Sequence, residues 1–302
     1  MEDDAMEAEL SIPEAVLLGH ALMAGIAESL GIRAFFIKGP ASLIQGLRLP
    51  RTSGDVDVFV APQDLESMVN ALRKRGWRER PVDPDNRTFQ MHSITFDHAN
   101  WPCCVDVHFR FPGMEHAAED VFEVMWANTE VLELAGREVT VPSKVLGILI
   151  LALHALRSPQ LRANIRELEF LTVISEREQH AAALLNISGA TGSLAAMRTF
   201  LQDLLPLRKS VVWPDATAEW RNLVMAKEPG SARLIALASA PLRDKPMMLF
   251  RSACPRPEAF LSRNIYADMS LSGTLRQHFV RWVRFVRAAP RIVRDFRQLR
   301  NG

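Results

Sequence analysis

Two short segments of the chain combine carboxylate side chains with the alternation of a β-strand. Asp55 and Asp57 stand two residues apart at the start of an apolar run, so a strand would present both carboxylates on one side. Asp106 alternates in the same way with Val105 and Val107. Close carboxylates repel one another unless a cation lies between them, and Mg²⁺, with Mn²⁺ as the alternative, suits carboxylate and phosphate oxygens. If the two strands are neighbours, the three carboxylates could hold two metal ions for an in-line displacement at phosphorus.

A turn upstream of these carboxylates could bind phosphate. Lys38, Gly39 and Ser42 lie between a short apolar strand and a short helix, where a small-residue turn offers backbone N–H groups to an anion. Lys38 could pair with phosphate as a point charge, or lie at a solvated strand end. Arg51, four residues before Asp55, could reach phosphate, orient the loop or form a surface ion pair.

Two histidines and a pair of arginines are accessory candidates. His108 shares a strand face with Asp106, where it could order that carboxylate, contact substrate or serve a structural role. His154 interrupts an apolar helix, and its plain interpretation is a hydrogen-bonded core histidine. Arg162 and Arg166 are spaced by four on the next helix, so they share a face from which they could contact nucleotide phosphate.

The elements that must position these residues form a mixed α/β region followed by a helical one. We expect an α+β fold with a mixed sheet, divided into an α/β domain over 1–141, a helical domain over 142–273 and a basic amphipathic helix over 274–302. Pro290 should kink or split that last helix. The predicted elements of the first region are helices over 13–30, 41–49, 63–75 and 115–127, strands over 33–37, 56–60, 77–80, 93–97 and 103–109, and a hairpin over 130–141. The helices predicted next are 143–157, 161–176, 178–186, 190–205 and 215–227.

Composition excludes several classes of protein. The 302 residues carry 36 Lys plus Arg against 35 Asp plus Glu, a net charge of +1 that argues against a protein coated all over with nucleic acid. Three Cys are too few for a disulfide framework. No apolar run approaches the roughly 18 residues of a membrane span, and the acidic N-terminus lacks the pattern of a secretory signal, so we expect a cytoplasmic protein. Walker-type, nucleophile-elbow and H-E-x-x-H motifs are absent from the sequence.

Three segments together resemble a known superfamily. FFIKGPASL, LPRTSGDVDVFV and CVDVHF are similar to the nucleotidyltransferase fold of polymerase-beta-like enzymes, and most of all to a poorly characterised bacterial nucleotidyltransferase family. The similarity covers about residues 15–175 and includes a later L-x-x-H-A stretch that contains His154. The resemblance implies a nucleotidyltransferase-like palm followed by helices, with His154 facing the cleft.

The same resemblance implies roles for individual residues. Asp55 and Asp57 would bind the metal ions and the triphosphate, and Asp106 would bind the second metal and help to activate the acceptor hydroxyl. Gly39 and Ser42 would lie near the phosphates. The superfamily usually has a Gly-Ser pair here, whereas this chain has proline at position 40, which removes one backbone N–H from the turn.

The resemblance implies Mg²⁺-dependent transfer of a nucleoside monophosphate from an NTP, with ATP as the expected donor, and release of pyrophosphate. The near-neutral palm offers no long nucleic-acid track, which favours a small-molecule, peptide or protein acceptor. Two alternatives stay open. One is a toxin-like nucleotidyltransferase that modifies RNA, and the other is a catalytically silent protein that senses nucleotide or scaffolds a partner.

The C-terminal residues 274–302 carry eight Arg and one Asp. The arginines recur every three or four residues, with apolar residues between them. Three interpretations stay open: the apolar stripe packs on the protein, the helix lies on an anionic membrane surface, or it binds RNA phosphates or an acidic partner. The membrane interpretation corresponds to a cytoplasmic protein that binds at the periphery of the membrane.

Overall fold

The computed structural model describes residues 10–82, 90–205, 211–225, 234, 237–238, 240–256, 258–262 and 267–301, with the backbone alone for 258 and 292–301. The acidic segment 1–9 lies outside them. The chain forms two compact units: the first contains Met1–Glu79, His92–Leu153 and Arg166–Trp213, and the second contains Arg80–Met91, His154–Ile165 and Pro214–Gly302. The division into domains over 1–141, 142–273 and 274–302 stays a prediction.

The first unit is built around a five-stranded mixed sheet, which confirms the expected α+β class. Its strands are β1 (Ala34–Phe36), β2 (Asp55–Val60), β3 (Arg78–Glu79), β4 (Ser93–His98) and β5 (Trp101–His108), and a separate hairpin joins β6 (Thr129–Leu134) to β7 (Arg137–Pro142). The order across the sheet is β1-β2-β5-β4-β3. Only β2 and β5 pair in parallel, and the other neighbours in this sheet are antiparallel. The carboxyl-bearing strands predicted from the sequence are therefore adjacent.

Helix α1 (Ile12–Leu30) packs on this sheet and begins at a sequence-encoded cap. Glu14 accepts a hydrogen bond from the Ser11 backbone N–H at 3.0 Å, which satisfies one of the unpaired groups at the helix start. Gly19 allows a close approach to β2, because a Cβ at that position would stand 2.8 Å from a methyl of Val56. The core fills the space between the sheet and the apolar sides of α1 and the later helix α3 (Leu65–Lys74).

Between residues 39 and 204 the described helices correspond one to one to the predicted ones and differ at their ends. Helix α2 (Gly39–Ile44) is shorter than predicted and stops before Gly46, whose φ of 71° is left-handed. The helix predicted over 178–186 begins later, at Ala181, for a similar reason, since Gln179 just before it has a φ of 58°. The remaining helices of this part of the chain are α4 (Ala118–Trp126), α5 (Lys144–Leu156), α6 (Arg162–Arg177), α7 (Ala181–Ala190) and α8 (Leu194–Leu204).

The second unit holds a long basic C-terminal helix. It contains α9 (Ala218–Met225), α10 (Lys245–Ala253), α11 (Glu258–Leu261) and α12 (Leu271–Asn301). α12 continues through Pro290 as one helix, so the chain is not split there, and a kink at that residue stays a prediction. Among the helices that the structure describes, none combines the length and apolar character needed to cross a membrane.

Candidate active site

The parallel pairing of β2 with β5 brings the predicted carboxylates together. Its register sets Asp57 beside Asp106, and Asp55 beside Cys104. Val105 and Val107 on β5 have no solvent exposure, so the alternate residues of that strand take the opposite side of the sheet, as the sequence predicts. The structure therefore places all three carboxylates on neighbouring strand positions.

Asp57 is the buried centre of this cluster. Its side chain is 5% exposed, and its Oδ1 accepts hydrogen bonds from Lys38 Nζ at 2.9 Å and from His108 Nε2 at 2.7 Å. Burial acts to raise the pKa of Asp57, but the hydrogen bond from His108 and the charge of Lys38 outweigh it and hold the pKa well below its usual range. The lowered pKa of Asp57 keeps its carboxylate negatively charged at neutral pH, because two donors from different segments converge on one of its oxygens.

Asp55 and Asp106 add further negative charge beside Asp57. Burial raises the pKa of Asp55, and the nearby charges of Asp57 and Asp106 raise it further. Asp106 Oδ1 is a buried atom that accepts no hydrogen bond from any described residue. A buried carboxylate oxygen without a donor is costly, and a bound cation would remove that cost.

The donor set fits a divalent ion. One potential ligand atom from each of Asp57, Asp106 and His108 lies within 4.8 Å of the other two. Two carboxylates suit Mg²⁺ or Mn²⁺, and an imidazole nitrogen that carries no proton favours Mn²⁺ over Mg²⁺. His108 joins Asp57 and Asp106 in this group. Asp55 interacts electrostatically with both carboxylates, and its assignment to a metal ion stays a prediction.

His108 contacts a different carboxylate from the one considered in the sequence. Ordering of Asp106 was one of three roles left open for His108, and in the structure its Nε2 bonds Asp57 on β2 instead. Because a carboxylate only accepts, Nε2 carries the proton in this contact. The ring is 3% exposed and lies parallel to Phe59, with ring centroids 6.3 Å apart. Packing therefore fixes the orientation of the donor.

The Lys38–Gly39 turn reaches the cluster through an unusual backbone. Lys38 has a φ of 63° and Gly39 a φ of 53°. A non-glycine residue in this region costs about 1–3 kcal/mol and persists only where its surroundings hold it. Two contacts hold it here: the Lys38 ion pair with Asp57, and the Ile37 backbone N–H, which donates to the Asp57 carbonyl at 3.0 Å.

Ser42, a predicted phosphate contact, is 3% exposed at the far side of the same turn. Its backbone N–H donates to the Lys38 carbonyl at 3.3 Å, so that group is already engaged within α2. Its assignment to phosphate, like that of Gly39, stays a prediction.

A buried histidine that the sequence analysis missed lies beside this turn. His20 on α1 has no solvent exposure, and its Nδ1 is 2.6 Å from the Val16 carbonyl. Burial lowers its pKa, against weaker raising effects of that hydrogen bond and of Asp57. A Cβ at Gly39 would stand 3.5 Å from His20 Nε2. The signal was present in the sequence, since a histidine occupies the apolar side of α1 at four residues from Val16.

A buried ion pair that the sequence analysis also missed lies at the start of the loop before β2. Arg48 donates through Nε to Glu167 Oε1 on α6 at 2.5 Å, and the two side chains are 5% and 10% exposed. The two residues are 119 positions apart, and no local pattern in the sequence relates them. The pair fixes the position at which the loop leaves α2.

Three other predicted residues are candidates for nucleotide binding. Arg51 is exposed in the loop before β2, and Arg166 is exposed on α6 next to Glu167. His154 is partly buried near the end of α5 and belongs to the second compact unit. Their roles in nucleotide binding stay predictions.

Residues 21–180 match the model of a family described as uncharacterised nucleotidyltransferases. The match spans just over half of the chain and contains Lys38 together with the carboxylates on β2 and β5. The chain belongs to this family. The resemblance inferred from the sequence is thereby confirmed at the level of the superfamily, and a transferase of nucleotidyl groups is the activity that the family description names.

Solved structures that this family member resembles share little sequence with it. An antigenic nucleotidyltransferase-like protein from Paracoccidioides brasiliensis has 12% identity and a TM-score of 0.39, over 64% of this chain and 94% of that one. The antibiotic-resistance factor ANT(2'')-Ia has 13% identity and a TM-score of 0.38, over 63% and 95%. The lincosamide antibiotic adenylyltransferase LnuA has 13% identity and a TM-score of 0.34, over 51% and 94%. A search of curated proteins finds no match to the chain.

Proposed function

We propose that this protein transfers a nucleoside monophosphate from an NTP, with ATP as the expected donor, to a small-molecule, peptide or protein acceptor. The observation that carries the proposal is the register of β2 and β5, which sets Asp57 directly beside Asp106. Membership of a nucleotidyltransferase family supports the class of reaction. The near-neutral charge of the chain supports an acceptor smaller than a long nucleic acid.

The carboxylates would hold Mg²⁺ or Mn²⁺. Asp57 and Asp106 supply ligand oxygens, and Asp55 adds negative charge to the same place. A bound ion supplies charge neutralisation at the triphosphate and lowers the barrier to displacement at phosphorus. Lys38 is a cation in the same cluster and would be available to the phosphates when the ion takes over the charge of Asp57.

The proposed reaction balances in one displacement. The acceptor oxygen bonds to the α-phosphorus of the NTP, the bond from that phosphorus to the bridging oxygen of the β-phosphate breaks, and pyrophosphate leaves. The proton of the acceptor hydroxyl passes to Asp106, whose Oδ1 accepts no hydrogen bond from the described residues. Asp57 is unsuited to take that proton, because the donors on its Oδ1 hold its pKa well below the usual range.

Transfer of label from the two ends of the nucleotide tests this proposal. The protein is incubated with Mg²⁺, a host lysate and each NTP labelled either at the α- or at the γ-phosphate. We expect the α-label to move to an acceptor and the γ-label to appear only in pyrophosphate. Asp57→Asn should abolish the transfer, and Asp203→Asn, which changes an exposed carboxylate on α8, should leave it unchanged.

Other results would point to the alternatives. Label on RNA would favour the RNA-modifying interpretation, and nucleotide binding that is sensitive to Asp57→Asn without any transfer would favour a silent nucleotide sensor. Transfer of the γ-label to an acceptor by the wild type but not by Asp57→Asn would contradict nucleotidyl transfer, because it would show a phosphotransferase. A γ-label that appears equally with both proteins comes from the kinases of the lysate.

A further inference from the structure

Helix α12 exposes six large apolar side chains on one face, with His278, which packs edge to face on Phe260, among them. At about 100° per residue, six of its large apolar side chains fall within an arc of about 120° on one side of the helix. All six are between 45% and 87% exposed. They are Leu271, Leu275, Phe279, Trp282, Phe285 and Val286. Scattered exposed apolar residues are ordinary, but six on one face of one helix are not.

The opposite face of α12 is basic. Arg276, Arg284 and Arg287 fall on the side away from the apolar arc, and all three are exposed. Residues 271–291 contain no Asp or Glu, so none of these three arginines has a carboxylate partner within this stretch of the helix. An apolar arc opposite a basic face, on a helix that does not cross a membrane, is the pattern of helices that lie in the plane of a bilayer surface.

We propose that α12 lies on the surface of a bilayer that contains anionic lipids. The apolar arc enters the boundary between headgroups and acyl chains, and the arginines, whose stems are long enough to reach back to the surface, pair with lipid phosphates and carboxylates. Trp282 and Phe285, which pack edge to face with centroids 5.9 Å apart, occupy the region that aromatic side chains favour at such a boundary.

Other occupants satisfy only part of the surface. RNA would neutralise the arginines, but its phosphate backbone would not remove the six apolar side chains from water. A second copy of α12 would cover the apolar arc, but it would add more arginines and no carboxylate from residues 271–291. An anionic bilayer satisfies both faces at once.

Vesicle flotation with the full-length protein tests the proposal. Zwitterionic phosphatidylcholine vesicles are compared with vesicles that also contain phosphatidylserine, at low and at high salt. The apolar face is changed in Phe279→Ser/Trp282→Ser/Phe285→Ser. The matched control is Met247→Ser/Leu249→Ser/Phe250→Ser, because these three side chains are 55–59% exposed but are scattered around α10. Circular dichroism and thermal unfolding check that each variant folds as the wild type does.

We expect binding to the anionic vesicles, with weakening at high salt, and little binding to the zwitterionic ones. The α12 variant should bind at least about tenfold less well, and the α10 variant should bind as the wild type does. Arg284→Gln and Arg287→Gln should each weaken binding about fivefold. Absence of binding to anionic vesicles, equal binding of the α12 variant, or equal loss in the α10 variant would overturn the proposal. Two further results would overturn it if the protein did not bind vesicles. One is a dimer in light scattering that is lost in the α12 variant, and the other is binding of single-stranded RNA that is lost in the same variant.

Discussion

Replacing Lys38 with methionine tests whether the cluster depends on an internal cation. The side chains of Lys38 and Asp57 are only 11% and 5% exposed, and Nζ lies 2.9 Å from Oδ1. At an effective dielectric constant of about 20, two unit charges at that separation attract by about 6 kcal/mol. Methionine keeps the volume of the side chain but leaves the buried carboxylate with His108 as its remaining described donor.

The expected loss is smaller than this attraction, because the ammonium group no longer has to be desolvated. Breaking a buried pair by removing one partner lowers the free energy of unfolding by about 3–5 kcal/mol. Because His108 still donates to Asp57, we expect a loss of about 3 kcal/mol. Urea unfolding at pH 7 with a chelator present measures the free energy of unfolding. Lys38→Met/Asp57→Asn should recover most of the loss, because the double variant has no unpaired charge. Arg33→Met, which breaks an exposed pair with Glu123, is the control and should have little effect.

The pH dependence supplies an independent check of the same reasoning. A carboxylate whose pKa is lowered by folding adds stability that is fully present above its unfolded pKa of about 4 and is lost as the pH falls below it. Removing Lys38 raises the folded pKa of Asp57, so the difference between wild type and Lys38→Met should narrow below about pH 4. A variant as stable as the wild type at pH 7, or a difference that stays constant down to pH 3, would refute the reasoning.

Three further predictions concern neighbouring contacts. Arg48→Met should lower the free energy of unfolding by about 3 kcal/mol, because it leaves Glu167 charged and buried. In urea unfolding, Arg48→Met/Glu167→Gln should be closer in stability to the wild type. A loss in the double variant equal to the sum of the two single losses would contradict this. Gly39→Ala should cost about 1–2 kcal/mol in thermal unfolding, since the φ of 53° is unfavourable for alanine; an unchanged melting temperature would be the contrary result. Asp106→Asn should weaken Mg²⁺ binding more than about tenfold in calorimetric titration, yet stabilise the metal-free protein, because it removes a charge that raises the pKa of Asp55. Equal Mg²⁺ affinity, or a loss of stability without metal, would count against it.

The part of the site that follows strand periodicity could be predicted from the sequence. Alternation in β2 and β5 assigns the carboxylates to one side of each strand before any pairing is known. The order of the motifs then makes adjacency of the strands plausible, and the register confirms it. Alternation could not identify the carboxylate that His108 would bind, because periodicity assigns a face within one strand and says nothing of contacts across strands.

The missed residues are those that tertiary packing brings in. His20 comes to Gly39 because α1 crosses the sheet at Gly19, and that approach depends on the absence of a side chain there. Arg48 meets Glu167 across 119 positions, and both residue types are usually found at the surface. Helix ends differed where Gln179 took a left-handed conformation, which is rare for a non-glycine residue and has no clear sequence signal.

The loop before β2 is anchored at both ends, and the residues between the anchors are exposed to solvent. Arg48 anchors one end by its buried pair, β2 begins at the other, and residues 49–52 between them are exposed. Doubling the length of such a loop costs only about 0.6 kcal/mol in closure entropy. Peptide insertions or randomised libraries grafted into this stretch should therefore leave the sheet and its acidic centre intact, which makes it the natural entry point for engineering new recognition onto this scaffold.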